Sequence, residues 1–152
     1  MSENIAAIYK KLHDEMQNKV AIKLFTIMVL DPIEVTAKRA FTSHPTEYPT
    51  SGSKPTLVNR WSAQVIDNKT TFIANTTEEF ADVFGDWKLI NQLGCSSAVN
   101  IPVLKNGIVI GTVNVLDIEN YFTKERVELL EAIVQEHTPE LQQAFSNSLV
   151  SN

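Results

Sequence analysis

Two apolar segments separated by a short polar break constrain the fold of this chain more than any other feature. They run over residues 97–104 and 108–116, with Lys105-Asn106-Gly107 between them. Asn-Gly between apolar segments strongly favours a tight hairpin turn, because both residues tolerate the positive φ that a type I′ turn requires. The sequence therefore predicts two antiparallel strands joined at Asn106-Gly107, with Lys105 paired to Ile108.

A helix is predicted near each end of the chain. Near the N-terminus, apolar residues recur every three or four positions and predict an amphipathic helix over about residues 3–19. The apolar stripe of this helix consists of Ile5, Ile8, Leu12 and Met16. Towards the C-terminus, Thr123 can cap a second helix, which Pro139 is expected to break or kink because it lacks a backbone donor. Residues 146–152 are expected to fray.

Further strands are predicted on both sides of a proline-rich loop. Residues 20–30 are almost continuously apolar and residues 34–43 alternate, which predicts a hairpin that turns at Asp31-Pro32. Residues 44–55 contain three of the six prolines and are typical of a shaped loop. Short helices are predicted at 57–67, 77–84 and 86–93, with a strand at 70–74. This order indicates an α+β domain over residues 1–152, with a five- or six-stranded antiparallel sheet.

Composition limits which partners this protein can bind and where in the cell it is expected. The net charge of −5 disfavours nucleic acid and anionic membrane surfaces, which bind clustered Lys and Arg. No apolar segment approaches the roughly 20 residues of a membrane-spanning helix. The N-terminus lacks the basic and apolar regions of a secretory signal, and the single cysteine, Cys95, has no partner for an internal disulfide. These features favour a cytoplasmic location.

The order of elements in the second half resembles that of a GAF domain, a small-molecule-binding module of many sensors. The matching features are a strand that contains Pro102, the Asn106-Gly107 turn, the Ile-Gly-Thr-Val-Asn-Val strand from Ile110, and the helix that Phe122-Thr123 opens. The resemblance covers nearly the whole chain. It implies terminal helices on one face of the sheet and, on the other, a ligand cavity beneath the loop and short helices.

The same resemblance implies a sensory or regulatory role that depends on binding an unknown small molecule, polar or anionic. It also implies a homodimer formed through the terminal helices and a separate protein that carries the output. A cofactor is not expected. A metal site is not expected either, because the three histidines are far apart and have no Cys or His at ligand spacing.

Candidate ligand-binding residues come from both sides of the expected cavity. Counting outward from the Asn106-Gly107 turn places Ser97, Thr112 and Asn114 on one face of the sheet, whereas a three-residue turn would place Asn100 there instead of Ser97. The asparagines could equally bond to backbone at the sheet edge. Arg39 is a further candidate on the apolar side of its predicted strand, and from the covering side the candidates are Tyr48, Trp61 and Trp87. Arg39 could instead pair with an acid, and Trp61 could be a core residue.

Two alternative functions compete with a sensor. Free methionine-(R)-sulfoxide reductases are also stand-alone GAF proteins, but that chemistry needs a nucleophilic and a resolving thiol. This chain has only Cys95, and Ser96 stands where the family has an acid, so no catalytic residue is expected. The second alternative is a ligand-free dimerisation scaffold, in which side chains would fill the cavity.

Overall fold

The computed structural model describes residues 2–150, with side chains from Asn4 onward. It contains a six-stranded antiparallel sheet of order β3-β2-β1-β6-β5-β4. The strands are β1 Leu24–Asp31, β2 Thr36–Thr42, β3 Lys54–Pro55, β4 Phe72–Ala74, β5 Ser97–Lys105 and β6 Ile108–Asp117. The α-helices are α1 Ser2–Lys19, α2 Arg60–Ser62, α3 Trp87–Gln92, α4 Lys124–Glu136 and α5 Thr138–Val150. A π-helical segment, Ala63–Asp67, continues α2, and a 3-10 turn spans Thr77–Glu79. The predicted α+β class and antiparallel sheet are confirmed.

Helices α1, α4 and α5 pack on one face of the sheet and bury the larger hydrophobic core. Close approach of α5 depends on Gly111 in β6. A Cβ atom at Gly111 would lie 2.5 Å from Cε2 of Phe145 and 2.6 Å from the carbonyl oxygen of Met28. Because neither neighbour has room to retreat in a close-packed core, only glycine fits at this position.

The apolar stripe of α1 lies inside this core. Leu12 and Met16 are fully buried, and Ile5 is 8% exposed. The apolar residues of α4 and α5, among them Leu130 and Leu141, are buried in the same cluster. These apolar residues therefore pack within one chain, and the homodimer expected through the terminal helices stays a prediction.

Helix α5 extends to Val150 and so includes residues 146–150, where the sequence predicts fraying. Ser148 is buried, and its hydroxyl lies 2.7 Å from the Tyr9 hydroxyl of α1. Residues 151 and 152 lie outside the described part. The predicted interruption near Pro139 is present, since α4 ends at Glu136 and α5 begins at Thr138.

The β5–β6 hairpin turns at Asn106-Gly107, both with positive φ, and Lys105 pairs with Ile108 as predicted. The pairing then shifts. Leu104 pairs with Val109 but Val103 pairs with Gly111, so Ile110 is an extra, bulged residue in β6. A one-residue bulge reverses which residues of the two strands share a face. Beyond it, Asn100 pairs with Asn114, and Ser97 pairs with Asp117.

The opposite face of the sheet is covered by the segment from Ser43 to Leu93, which contains the proline-rich loop and the short helices. A second hydrophobic cluster lies beneath it and includes Leu24, Phe72, Phe80, Ile90 and Leu116. The smaller core leaves space over the centre of the sheet. Within residues 2–150, no helix has both the length and the apolar character needed to span a bilayer.

Candidate functional site

A cavity of about 310 Å³, partly open to solvent, lies between the sheet and the covering segment. Its volume is at the lower end of the range for small-molecule sites. Strands β1, β2, β5 and β6 supply its floor, and the proline-rich loop, α2 and the turn before α3 supply its walls. The polar and aromatic residues of its lining include Thr26, Arg39, Tyr48, Trp61, Phe84, Asp86, Asn100 and Asn114.

The floor carries a chain of side-chain hydrogen bonds across three strands. Nε1 of Trp61 donates to Oδ1 of Asn100 at 2.8 Å. The Asn100 amide donates to Oδ1 of Asn114 at 2.8 Å, and the Asn114 amide donates to the hydroxyl of Thr26 at 3.2 Å. These sheet residues are at least nine-tenths buried, so the chain fixes polar groups in a mostly apolar space.

One wall of the cavity is built around the guanidinium of Arg39. It lies 3.7 Å from the centroid of the Tyr48 ring, and Nη1 donates to the carbonyl of Pro49 at 2.9 Å. Nη2 is 3.5 Å from a carboxylate oxygen of Asp86, which also accepts the Tyr48 hydroxyl at 2.5 Å. Burial, followed by the negative charge of Asp86, raises the pKa of Tyr48 well above its ordinary value. Tyr48 is thus a neutral donor that ties the loop to the turn before α3.

A separate set of hydrogen bonds, made by Arg60 and Asn59, holds α2 over the cavity floor. Arg60 donates to both carboxylate oxygens of Asp82, at 2.7 and 2.8 Å, and to the carbonyl of Glu79. The Asn59 side chain accepts from the backbone of Ser62 at 3.0 Å, while Ser62 Oγ accepts from the backbone of Asn59 at 2.9 Å. This capping box begins the short helix and fixes the position of Trp61.

Five of the eight sequence-predicted site residues meet at the cavity: Arg39, Tyr48, Trp61, Asn100 and Asn114. Their role in binding remains a prediction. The alternatives weighed for Arg39 and Trp61 are both partly realised, since Arg39 contacts an acid and Trp61 packs against the smaller core.

The other three candidates do not line the cavity. Ser97 was expected to share a face with Thr112 and Asn114, but the bulge at Ile110 puts it on the opposite face, where its hydroxyl donates to the carbonyl of Ile118 at 2.7 Å. Thr112 is on the expected face but is fully buried away from the cavity, and its hydroxyl has no partner among the described residues. Trp87 packs partly buried against the smaller core, outside the lining.

Sequence reasoning missed Thr26 and Asp86. Thr26 is a polar residue inside the apolar segment 20–30, and it pairs with Asn114 in the sheet. A lone threonine in a strand covered on both faces is a usable signal, because a buried hydroxyl needs a partner. Asp86 follows Gly85 and reads in sequence as a helix start, so only the fold brings it to Arg39.

Cys95 is fully buried and does not line the cavity. Burial, with a smaller contribution from the charge of Asp117, raises the pKa of its thiol to about 11. At neutral pH the thiol is protonated, which suits a structural residue rather than a nucleophile. Among residues 2–150, no cluster of three or more His, Cys, Asp or Glu side chains could hold a metal ion.

Comparison with known proteins gives a family and a fold. The family model described as GAF domain matches residues 5–136. No curated protein sequence is significantly similar to the chain. Among solved structures, a GAF domain/HD domain protein from Geobacter sulfurreducens superposes with a TM-score of 0.72 at 9% identity, over 96% of this chain and 94% of that chain.

Two further structures have comparable folds. The GAF domain of a two-component sensor histidine kinase from Bacillus halodurans has a TM-score of 0.71 and 16% identity, over 95% of each chain. The type II free methionine-R-sulfoxide reductase from Thermoplasma acidophilum has a TM-score of 0.66 and 14% identity, over 93% of this chain and 94% of that chain. At these identities the likeness concerns the fold alone.

Proposed function

The chain belongs to the GAF domain family, whose members are small-molecule-binding sensory domains, and from that premise we propose that it binds a small polar or anionic molecule in the cavity over β1 and β6. The observation that carries this proposal is the Trp61–Asn100–Asn114–Thr26 chain on the cavity floor. Buried polar groups cost free energy unless they are paired, and here the paired groups border an open space instead of apolar side chains alone. Small-molecule sites combine an apolar lining with a few fixed polar groups.

The proposal is tested by native mass spectrometry of protein purified from cells, which detects a retained small molecule. The expected result is a non-covalent adduct that Asn114→Leu reduces, because the leucine removes two floor hydrogen bonds while keeping a similar size. Gln142→Leu is the matched control, since Gln142 bonds to the Leu104 carbonyl on the helix side. Loss of the adduct in both variants, or no adduct and no binding of any small molecule, would support the ligand-free scaffold instead.

The reductase alternative receives no support from the position of Cys95. The only thiol of the chain is buried outside the cavity, and its raised pKa disfavours the thiolate that sulfoxide reduction needs. We expect Cys95→Ser to leave small-molecule binding nearly unchanged and the wild type to lack thiol-dependent reduction of free methionine sulfoxide. Turnover that Cys95→Ser abolishes would overturn this assignment.

Assembly as a homodimer, signalling through a separate output protein, and a cytoplasmic location remain part of the proposal. A dimer formed through the helical layer must use the outward faces of the helices, since the apolar stripes are buried. On α4, Leu129 is 41% exposed and is the apolar residue that such a contact would use. The cytoplasmic location is supported by the unpaired cysteine and by the acidic composition.

A further inference from the structure

The hydrogen-bond chain on the cavity floor has a fixed direction. An indole N–H can only donate, so the contact with Trp61 makes Oδ1 of Asn100 an acceptor and turns its amide nitrogen towards Asn114. Asn114 is oriented in the same sense, because its Oδ1 accepts from Asn100 and its nitrogen donates to Thr26. The identity of one residue, Trp61, therefore sets the polarity of the whole floor.

In this arrangement, the cavity floor has hydrogen-bond donors that lack acceptors. Each amide nitrogen has two hydrogens and uses one, and the Thr26 hydroxyl accepts from Asn114 but has no acceptor of its own among residues 2–150. The three residues are buried, with exposures of 4% for Thr26, 5% for Asn100 and 9% for Asn114, and all line the cavity. A buried donor without an acceptor costs about 1–3 kcal/mol, so the floor favours a ligand that supplies acceptor oxygens.

The charge of the lining points to the same ligand chemistry. Arg39 and Lys54 face the cavity with a single acid, Asp86, in a chain whose net charge is −5. Lys38 also borders the cavity, but its ammonium is directed to α5 on the other side of the sheet. Asp86 contacts Arg39 through one oxygen at 3.5 Å, which is looser than a bidentate pair and leaves guanidinium donors open.

We infer that the cavity takes a small organic carboxylate with an apolar body. The carboxylate oxygens accept from Asn100, Asn114 and Thr26, and the positive charge of Arg39 balances the anion. The body packs against the rings of Tyr48, Trp61 and Phe84, which line the remaining space. This inference rests on the proposed function and narrows it from polar or anionic molecules to one class.

The test compares matched carboxylate and carboxamide pairs by isothermal titration calorimetry on the full chain. The pairs are benzoate with benzamide, phenylacetate with phenylacetamide, and hexanoate with hexanamide. The expected result is that at least one acid binds about tenfold tighter than its amide, a ratio that corresponds to about 1.4 kcal/mol. Amides that bind as well as or better than their acids would overturn the inference but leave a small-molecule site in place.

Two cavity variants locate the effect. Thr26→Val removes one floor donor and Arg39→Met removes the charge, and each should weaken the acid at least about fivefold while changing the amide less. Arg126→Met, at an exposed arginine that stacks on Tyr121 outside the cavity, is the control. Unchanged acid binding in both cavity variants would overturn the inference. Binding by no probe would also overturn it, and the proposed function would then be judged separately by the native mass spectrum.

Discussion

Lys38 and Arg39 are neighbours in β2, and their side chains make contacts on opposite faces of the sheet. The Lys38 ammonium donates to the carbonyl of Ser148 near the end of α5 at 2.5 Å. The Arg39 guanidinium lies over Tyr48 at the cavity wall. Beyond Arg39, the pairing with β1 shifts by one residue, so Ala40 is bulged between Arg39 and Phe41. One short segment of backbone thus connects the candidate site with the last turn of the terminal helix.

This split predicts that the two side chains have separable effects. Lys38→Met should speed amide hydrogen exchange at the end of α5, because the Ser148 carbonyl loses a charged donor, and should weaken small-molecule binding less than Arg39→Met does. Arg39→Met should weaken binding without changing exchange in α5. Hydrogen-exchange mass spectrometry and calorimetry on both variants measure the two effects. If Lys38→Met leaves exchange in α5 as it is in the wild type, the contact contributes little to holding that helix.

Burial of the α1 stripe predicts different outcomes for two leucine substitutions. Leu12→Glu places a charge in a fully buried position and should destabilise the fold by at least about 3 kcal/mol, seen as a lower urea midpoint. Leu129→Glu, on the exposed face of α4, should change stability little. If a homodimer forms through that face, sedimentation should show that Leu129→Glu dissociates it. A folded, stable Leu12→Glu protein would contradict the position of α1.

Because the thiol of Cys95 is buried, we expect the folded protein to lose stability at high pH. Burial raises the thiol pKa from 9.0 to about 11, so the folded protein retains a proton that the unfolded chain releases. Stability from this group is therefore complete below pH 9 and declines as the pH rises towards 11, by about 2 kcal/mol. Urea unfolding at pH 8 and pH 10.5 should show a smaller decline for Cys95→Ala than for the wild type. Equal declines would assign the effect to other groups.

Sequence patterns predicted the elements well and the side-chain register less well. The Asn106-Gly107 turn and the periodicity of α1 are local signals, and both elements form where the sequence places them. The bulge at Ile110 has no such local signal; it lies next to Gly111, where the sheet packs closely against Phe145 of α5. That bulge moved Ser97 off the cavity face and brought Asn100 onto it. The Arg39–Asp86 contact joins residues that are far apart in sequence, and only the folded chain brings them together.

Substitution of Trp61 tests whether the direction of the floor hydrogen bonds governs binding, because its indole N–H orients both asparagines. Trp61→Phe keeps an aromatic ring but removes that donor, so the Asn100 amide loses the contact that fixes its direction. We expect small-molecule binding to weaken by at least about fivefold, since a lost buried hydrogen bond costs about 1–3 kcal/mol.

Trp87→Phe is the matched control, since Trp87 lies outside the cavity and makes no side-chain hydrogen bond among the described contacts. Calorimetry measures the affinity of each variant. Because Trp61 borders the site, binding should also change the indole fluorescence of the Trp87→Phe protein, in which Trp61 is the remaining tryptophan. Wild-type affinity in Trp61→Phe would show that the direction of the floor hydrogen bonds does not govern binding.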